Sequence, residues 1–124
     1  MNVVDSSGWL EYFADESNAG FFAPAVQAVA ELLVPSISLY EVFRKILQQK
    51  NEDEALRAVA LMMRGLVVDL TPAIALGAAV LSLKHKLPMA DSVMLATTQA
   101  YDATFWTQDA DFQNIPGVRY IRKG

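Results

Sequence analysis

LPMADSVMLATTQAYDATFWTQDADF, residues 87–112, is the stretch whose reading decides the fold. Pro88 suits a helix entry and Asp91, in the first turn, suits the helix dipole. The helix gives way to a short strand at Ala103 to Trp106, and an acid-rich turn follows with Thr107, Asp109 and Asp111. Two carboxylate positions, Asp91 and the Asp109 turn, thus stand at the edges of regular elements. Working outward, Asp5 ends the first strand pattern in NVVD, and Glu41 lies near the start of an apolar helix. If a parallel sheet gathers Asp5, Glu41, Asp91 and Asp109, they form an anionic pocket that calls for a hard cation.

The remaining segments fit such a sheet. Asn2 to Asp5 is a short β-rich run, and Ser6 or Ser7 can cap the helix that runs through Trp9, Leu10, Tyr12 and Phe13. Asp15 to Gly20 reads as a polar loop, and Phe21 to Ala30 as a helix despite Pro24 inside it. Leu32 to Pro35 is a second strand. Ser38-Leu-Tyr-Glu41 has capping-box spacing, with Ser38 as N-cap and Glu41 at the third helical position. That helix runs to about Lys50, Asn51 or a neighbour breaks it, and a second spans about Glu52 to Arg64. The two form a hairpin whose apolar side carries Val42, Ile46, Leu56, Val59, Met62 and Met63, with its outer face a candidate partner surface. Leu66 to Leu70 is a third strand, continuous in hydrophobicity as buried parallel strands are. Thr71 caps and Pro72 begins the next helix, where Ile74, Gly77, Ala78 and Leu81 share a face and the small residues allow close approach to the sheet. Val118 to Arg122 is the last strand. Strands alternating with helices indicate a parallel α/β domain over residues 1–124, in which ligands bind beyond the carboxyl ends of the strands.

Composition narrows the function. A 124-residue chain with 53% hydrophobic residues can bury a proper core. It has no cysteine, which removes disulfides, zinc fingers, iron–sulfur ligation and thiol nucleophiles. Met1 leads straight into a strand pattern without a basic segment, so no secretory signal is expected. The most apolar run, Ile74 to Leu83, is about half of the roughly 20 residues a membrane span requires. These points predict a soluble, cytoplasmic protein. The net charge of −4 is unlike the basic face of a general nucleic-acid binder, unless acids serve as metal ligands and local Arg and Lys compensate.

Each acid has an ordinary explanation. Asp5 can be a turn residue, Glu41 half of a capping box, Asp91 a helix-dipole partner, and Asp109 and Asp111 Asx-turn residues. Their joint placement is harder to explain, because converging carboxylates repel by about 4 kcal/mol per close pair at intermediate dielectric. Raised pKa values or a bound cation relieve that. An all-oxygen donor set selects Mg²⁺ or Mn²⁺ over zinc or copper. His85, between Lys84 and Lys86, reads as a solvated helix-end cation, the Met residues as core fillers, and Trp9 and Trp106 as packing anchors.

Taken together, VVDSSGW at residues 3–9, SLYEVFRK at 38–45, the 87–112 stretch and GVRYI near the end resemble a PIN-domain ribonuclease of the VapC toxin type. The resemblance covers nearly the whole chain, and its most specific part is the ADS…AT…A…TQDADF segment. It places the family's acidic quartet on Asp5, Glu41, Asp91 and Asp109. Ser6 and Thr107 fall on accessory hydroxyl positions and Asp111 on an accessory acid. It further implies a five-stranded sheet in the order 3-2-1-4-5, a homodimer, and a cognate VapB-like antitoxin whose tail blocks the site.

The resulting expectation is a Mg²⁺- or Mn²⁺-dependent endoribonuclease acting as a toxin. Asp5, Asp91 and Asp109 would hold metal, Glu41 would complete the cage or orient the attacking water, and the products implied carry 5′-phosphate and 3′-hydroxyl ends. Arg44 and Lys45, a turn beyond Glu41, are candidates for RNA phosphate contacts, with Lys84 and Lys86 behind them. Two other readings compete. One is a phosphoacceptor signalling domain using Asp69 at the end of the third strand. The other is a noncatalytic module in which the helical hairpin does the binding.

Overall fold

The computed structural model describes residues 1–124. Strand β1 (Asn2–Val4) leads into helices α1 (Ser6–Phe13) and α2 (Ala19–Gln27), a 3₁₀ turn at Val29–Glu31, and β2 (Leu33–Pro35). Helices α3 (Ser36–Gln49) and α4 (Glu52–Met62) form the hairpin, followed by β3 (Leu66–Val68), α5 (Pro72–His85) and α6 (Met89–Ala100). Strand β4 (Thr104–Thr107), a 3₁₀ turn at Ala110–Phe112 and β5 (Val118–Tyr120) complete the chain. No helix is long and apolar enough to cross a membrane.

All strand pairs are parallel, as expected of strands joined by helices. The uninterrupted sheet implied by the order 3-2-1-4-5 is corrected: β1-β4-β5 form one ladder and β2-β3 another. A single parallel bridge, Asn2 to Leu32, lies between them. Strands of three residues that twist relative to one another have room for one such bridge before they diverge. Alternation along the strands sorts the core into two layers. Val3, Leu33 and Phe105 meet Ile74, Ala78 and Leu81 of α5 and Met94 and Leu95 of α6. Val4, Val34 and Trp106 meet Trp9, Phe22, Val42, Ile46 and Met62 from the other helices. The sheet is therefore covered on both faces.

Local signals explain several boundaries. Thr71 Oγ1 accepts from the Ile74 N–H at 3.2 Å, and Pro72 occupies the first turn of α5. Asn51 does more than interrupt the hairpin, since its Oδ1 caps α4 by accepting from the Glu54 N–H at 2.9 Å. Other expectations are corrected. Helix α3 starts at Ser36 with Pro35 as N-cap, so Ser38 and Glu41 form no capping box, and the Ser38 hydroxyl is buried without a partner. The chain passes from β2 into α3 without a loop, which moves the helix start ahead of the serine. Likewise Asp5, not Ser6 or Ser7, stands at the N-cap of α1. Helix α2 begins inside the expected loop and ends before Ala28, with exposed Pro24 tolerated on its outer side. Leu66 and Leu70 are about half exposed because β3 lies at an edge. On the hairpin, Ala55 and Ala58 are buried where Leu56 and Met63 were expected. Gly77 serves contact between helices: a Cβ there would stand 4.0 Å from Ala96 Cβ on α6, so the close approach is to α6 and not to the sheet.

Candidate active site

The carboxyl ends of β1 and β4 lie side by side, because Val4 pairs with Trp106 and the Asp5 N–H donates to the Trp106 carbonyl at 2.9 Å. Asp5 is 3% exposed. Its Oδ2 accepts from Thr107 Oγ1 at 2.7 Å and from Ser7 Oγ at 3.1 Å. Thr107 Oγ1 in turn accepts from the Asp109 N–H at 2.9 Å. One buried hydroxyl thus fixes two acids, a side chain on one strand and the backbone beyond another. Ser6 Oγ donates to Glu41 Oε1 at 2.7 Å, tying α1 to α3. Helix α6 contributes Asp91 from its first turn.

These elements enclose a cleft of about 480 Å³ lined by Asp5, Ser6, Ser7, Leu10, Tyr40, Glu41, Arg44, Lys45, Asp91 and Asp109. Burial pushes Asp5 up to about 6; the Thr107 and Ser7 hydrogen bonds work against that, and the Asp109 and Glu41 charges add to it. Asp91 rises to about 7, first through burial and then through the charges of Asp5, Asp109, Glu41 and Asp111. Burial thus leads both shifts, and the neighbouring carboxylates add to them.

All four quartet positions reach this cleft. Ser6 and Thr107 sit behind the acids as hydrogen-bond donors. Asp111 is exposed at the margin, where its N–H donates to Asp109 Oδ1 at 2.9 Å. Arg44 and Lys45 line the opening, whereas Lys84, His85, Lys86 and Asp69 do not. Trp9 and Trp106 are packed in the core, Trp106 beneath the Arg119 guanidinium at 4.3 Å. Sequence reasoning missed Ser7, which bonds Asp5, and Tyr40, which lines the cleft. For Tyr40 the available signal was its place beside Glu41 and one turn before Arg44.

No three carboxylates converge tightly enough to form a ready-made chelate. The donor chemistry still fits a hard divalent cation: the acids are all oxygen donors, they carry excess negative charge in a partly buried cleft, and both bonds to Asp5 fall on Oδ2 alone.

The family model described as PIN domain matches residues 3–118. No match to a curated protein sequence was found. Among solved structures, the chain is similar to a toxin–antitoxin complex component from Klebsiella pneumoniae, at TM-score 0.82 and 22% identity over 96% of both chains. It is also similar to Mycobacterium tuberculosis VapC20, described as a sarcin–ricin loop cleaving toxin, at TM-score 0.79 and 16% identity over 95% of this chain and 97% of that one. A DNA-bound VapBC chain from Salmonella typhimurium matches at TM-score 0.70 and 17% identity, over 98% and 96% respectively.

Proposed function

The chain belongs to the PIN-domain family, and on that footing we propose that it is a divalent-cation-dependent endoribonuclease, the toxin of a type II toxin–antitoxin pair acting in the cytoplasm. The observation that carries the reading is the convergence of Asp5, Glu41, Asp91 and Asp109 on one cleft, with two of them raised toward neutral pH. Asp5, Asp91 and Asp109 would hold Mg²⁺, or Mn²⁺ in its place. When bound, the cation neutralises charge on the phosphodiester and makes water more acidic. Glu41, held by Ser6, would orient that water and take up its proton. Thr107 and Ser7 keep the Asp5 carboxylate in one orientation, so little reorganisation is needed as charge develops. Arg44 and Lys45 supply positive charge at the opening of an otherwise anionic cleft.

Partner binding has support beside the cleft. A groove of about 430 Å³ runs between α1 and the α3–α4 hairpin, with Leu10, Phe13, Ile46, Ala58 and Leu61 along it and charged residues at its rim. Groove and cleft share Ser7, Leu10 and Lys45. A VapB-like antitoxin segment seated in the groove would reach the acids directly and block them. On another side of the molecule, α5 leaves Leu76, Val80 and Leu83 largely exposed. That stripe is the surface through which a homodimer would form.

The deciding experiment is cleavage of labelled structured RNAs, a sarcin–ricin stem–loop among them, with Mg²⁺, Mn²⁺ or EDTA, alongside Asp5→Asn and Asp91→Asn. Metal-dependent cutting that both variants lose while unfolding cooperatively is the expected result. Equal behaviour of wild type and variants would remove the nuclease and leave the hairpin as the working surface.

A further inference from the structure

Tyr40 is 61% exposed, the most exposed aromatic side chain of the molecule, whereas Trp9, Phe22, Phe105 and Phe112 are almost completely buried. A ring left in water gives up the free energy of burial that those core rings gain. It also does not stand at an arbitrary place: Tyr40 adjoins Glu41 in sequence, and both line the acidic cleft together with Arg44 and Lys45. Tyr40 and Arg44 are four residues apart on α3, which puts their Cβ atoms about 5–6 Å apart on one helix face.

From this placement we infer that Tyr40 is a stacking platform that binds an unpaired base next to the phosphate being cut, with Arg44 on the adjoining phosphate. The inference rests on the nuclease reading and names the form of substrate that its site accepts. An exposed aromatic face attracts any base of a nucleic acid, since every base has a π-face. It does so only when that base is free of a duplex, where both its faces are already covered. Arg44 and Lys45 contribute sequence-independent attraction to phosphate. The ring thereby supplies the apolar contact that the acids cannot, one turn of helix from Arg44. Because the contact is made with substrate before and during reaction alike, its loss should raise KM more than it lowers kcat.

The test compares wild type with Tyr40→Ala, Tyr40→Phe and Tyr40→Trp. The probe is a short single-stranded RNA carrying 2-aminopurine beside the cleavage position, used alone and annealed to its complement, with Mn²⁺ present. Steady-state kinetics give kcat and KM, and stopped-flow fluorescence reads the stacking quench before cleavage. Removing a base–aromatic stack costs roughly 1–3 kcal/mol, so KM for Tyr40→Ala should rise about tenfold with kcat within about twofold, and the quench should vanish. Tyr40→Phe and Tyr40→Trp should keep both. Thermal unfolding of all three should match wild type, as befits an exposed residue. A Tyr40→Ala protein with normal KM and quench overturns the proposal, as does Tyr40→Phe failing equally, or wild type preferring the duplex. If wild type neither cuts nor quenches any probe, the nuclease reading falls too. Wild-type cutting with normal Tyr40→Ala kinetics removes the stacking platform alone.

Discussion

Three consecutive residues at the end of β4, Thr107 to Asp109, divide between two polar clusters of opposite character. Strand alternation continues past the strand end: Thr107 and Asp109 turn to the acidic cleft, while Gln108 turns to the α1 side. There Asn18 Nδ2 donates to Gln108 Oε1 and to the Arg122 carbonyl, both at 3.0 Å. Glu11 accepts from the Asn18 N–H at 2.9 Å and from Gln108 Nε2 at 3.3 Å. Donors meet acceptors, and the cluster fastens the α1–α2 turn to the C-terminal segment. The cleft holds four carboxylates served only by the Ser6, Ser7 and Thr107 hydroxyls and the Asp111 N–H. One cluster satisfies its own polar groups; the other leaves charge uncompensated until something positive arrives. The contrast separates a network that satisfies itself from a cleft whose charge a bound cation would offset, although both are polar and both flank the same turn.

The sharpest way to break that contrast is to neutralise an acid. Asp5→Asn and Asp91→Asn should each lower metal-dependent cleavage by roughly 10²- to 10³-fold, the scale of removing a central electrostatic group. In metal-free protein at pH 8 both should nonetheless raise the melting temperature, because they remove repulsion. An acid whose loss destabilised the protein at that pH would belong with the Gln108 cluster instead.

Changing pH tests the same asymmetry without mutation. The folded pKa values of Asp5 and Asp91, about 6 and about 7, lie above their unfolded value of 3.8. The folded state therefore holds these protons more tightly, and the stability they contribute is fully present below about pH 4. It is lost as pH rises through 6 to 7 and stays low above that. For Asp5 the loss is about 3 kcal/mol by linkage, and Asp91, being partly exposed, adds a part reduced by solvent screening. Urea unfolding of metal-free protein should show a decline between about pH 4 and 7 that Mg²⁺ or Mn²⁺ reverses and Asp91→Asn flattens. A pH-independent midpoint would contradict the site's electrostatics.

On the other side of the turn, Asn18→Ala should cost about 2 kcal/mol, since it strands the buried Gln108 oxygen and removes the donor to the Arg122 carbonyl. Cleavage per folded molecule should hardly change. Thr107→Val lies between the two clusters: it removes a donor that lowers the Asp5 pKa and leaves the Asp109 N–H unpaired. It should weaken metal affinity roughly 10- to 100-fold, as loss of a supporting hydrogen bond behind a ligand does. Isothermal titration with Mn²⁺ reads that change directly.

The clusters also differ in how far they could be read from sequence. Asp5, Asp91 and Asp109 were legible because each follows a strand or opens a helix, and a parallel sheet gathers such positions at one end. Thr71 with Pro72 announced the start of α5 for the same local reason. Glu41 was placed on the correct helix for a mistaken cause: no capping box exists, and the serine that bonds it is Ser6, 35 residues away. The Asn18–Gln108–Glu11 network was invisible because its partners are up to 97 residues apart and polar residues in turns carry no signal of burial. The break in the sheet was equally hidden, since pairing between β1 and β2 depends on how three-residue strands diverge in space. Leu66 and Leu70 look like core in any hydrophobic run, and only the edge position of β3 exposes them.

Arg44 offers the smallest and most specific change. It lines the cleft opening, exposed, on the same helix face as Tyr40. If it contacts a phosphate, Arg44→Glu removes one neutralised charge and adds a repulsive one, leaving the acids and their hydroxyl partners in place. The expected result is a several-fold rise in KM at low salt and a fall of about 0.7–1 in the slope of log affinity against log salt for a single-stranded RNA. At high salt the variant and wild type should converge, because screening erases the term that distinguishes them. Metal titration of the variant should match wild type, which keeps the effect apart from the acids. An unchanged salt slope would assign Arg44 to solvent and leave Lys45 to carry the cleft's positive charge, shifting the RNA path toward the groove that Lys45 also lines.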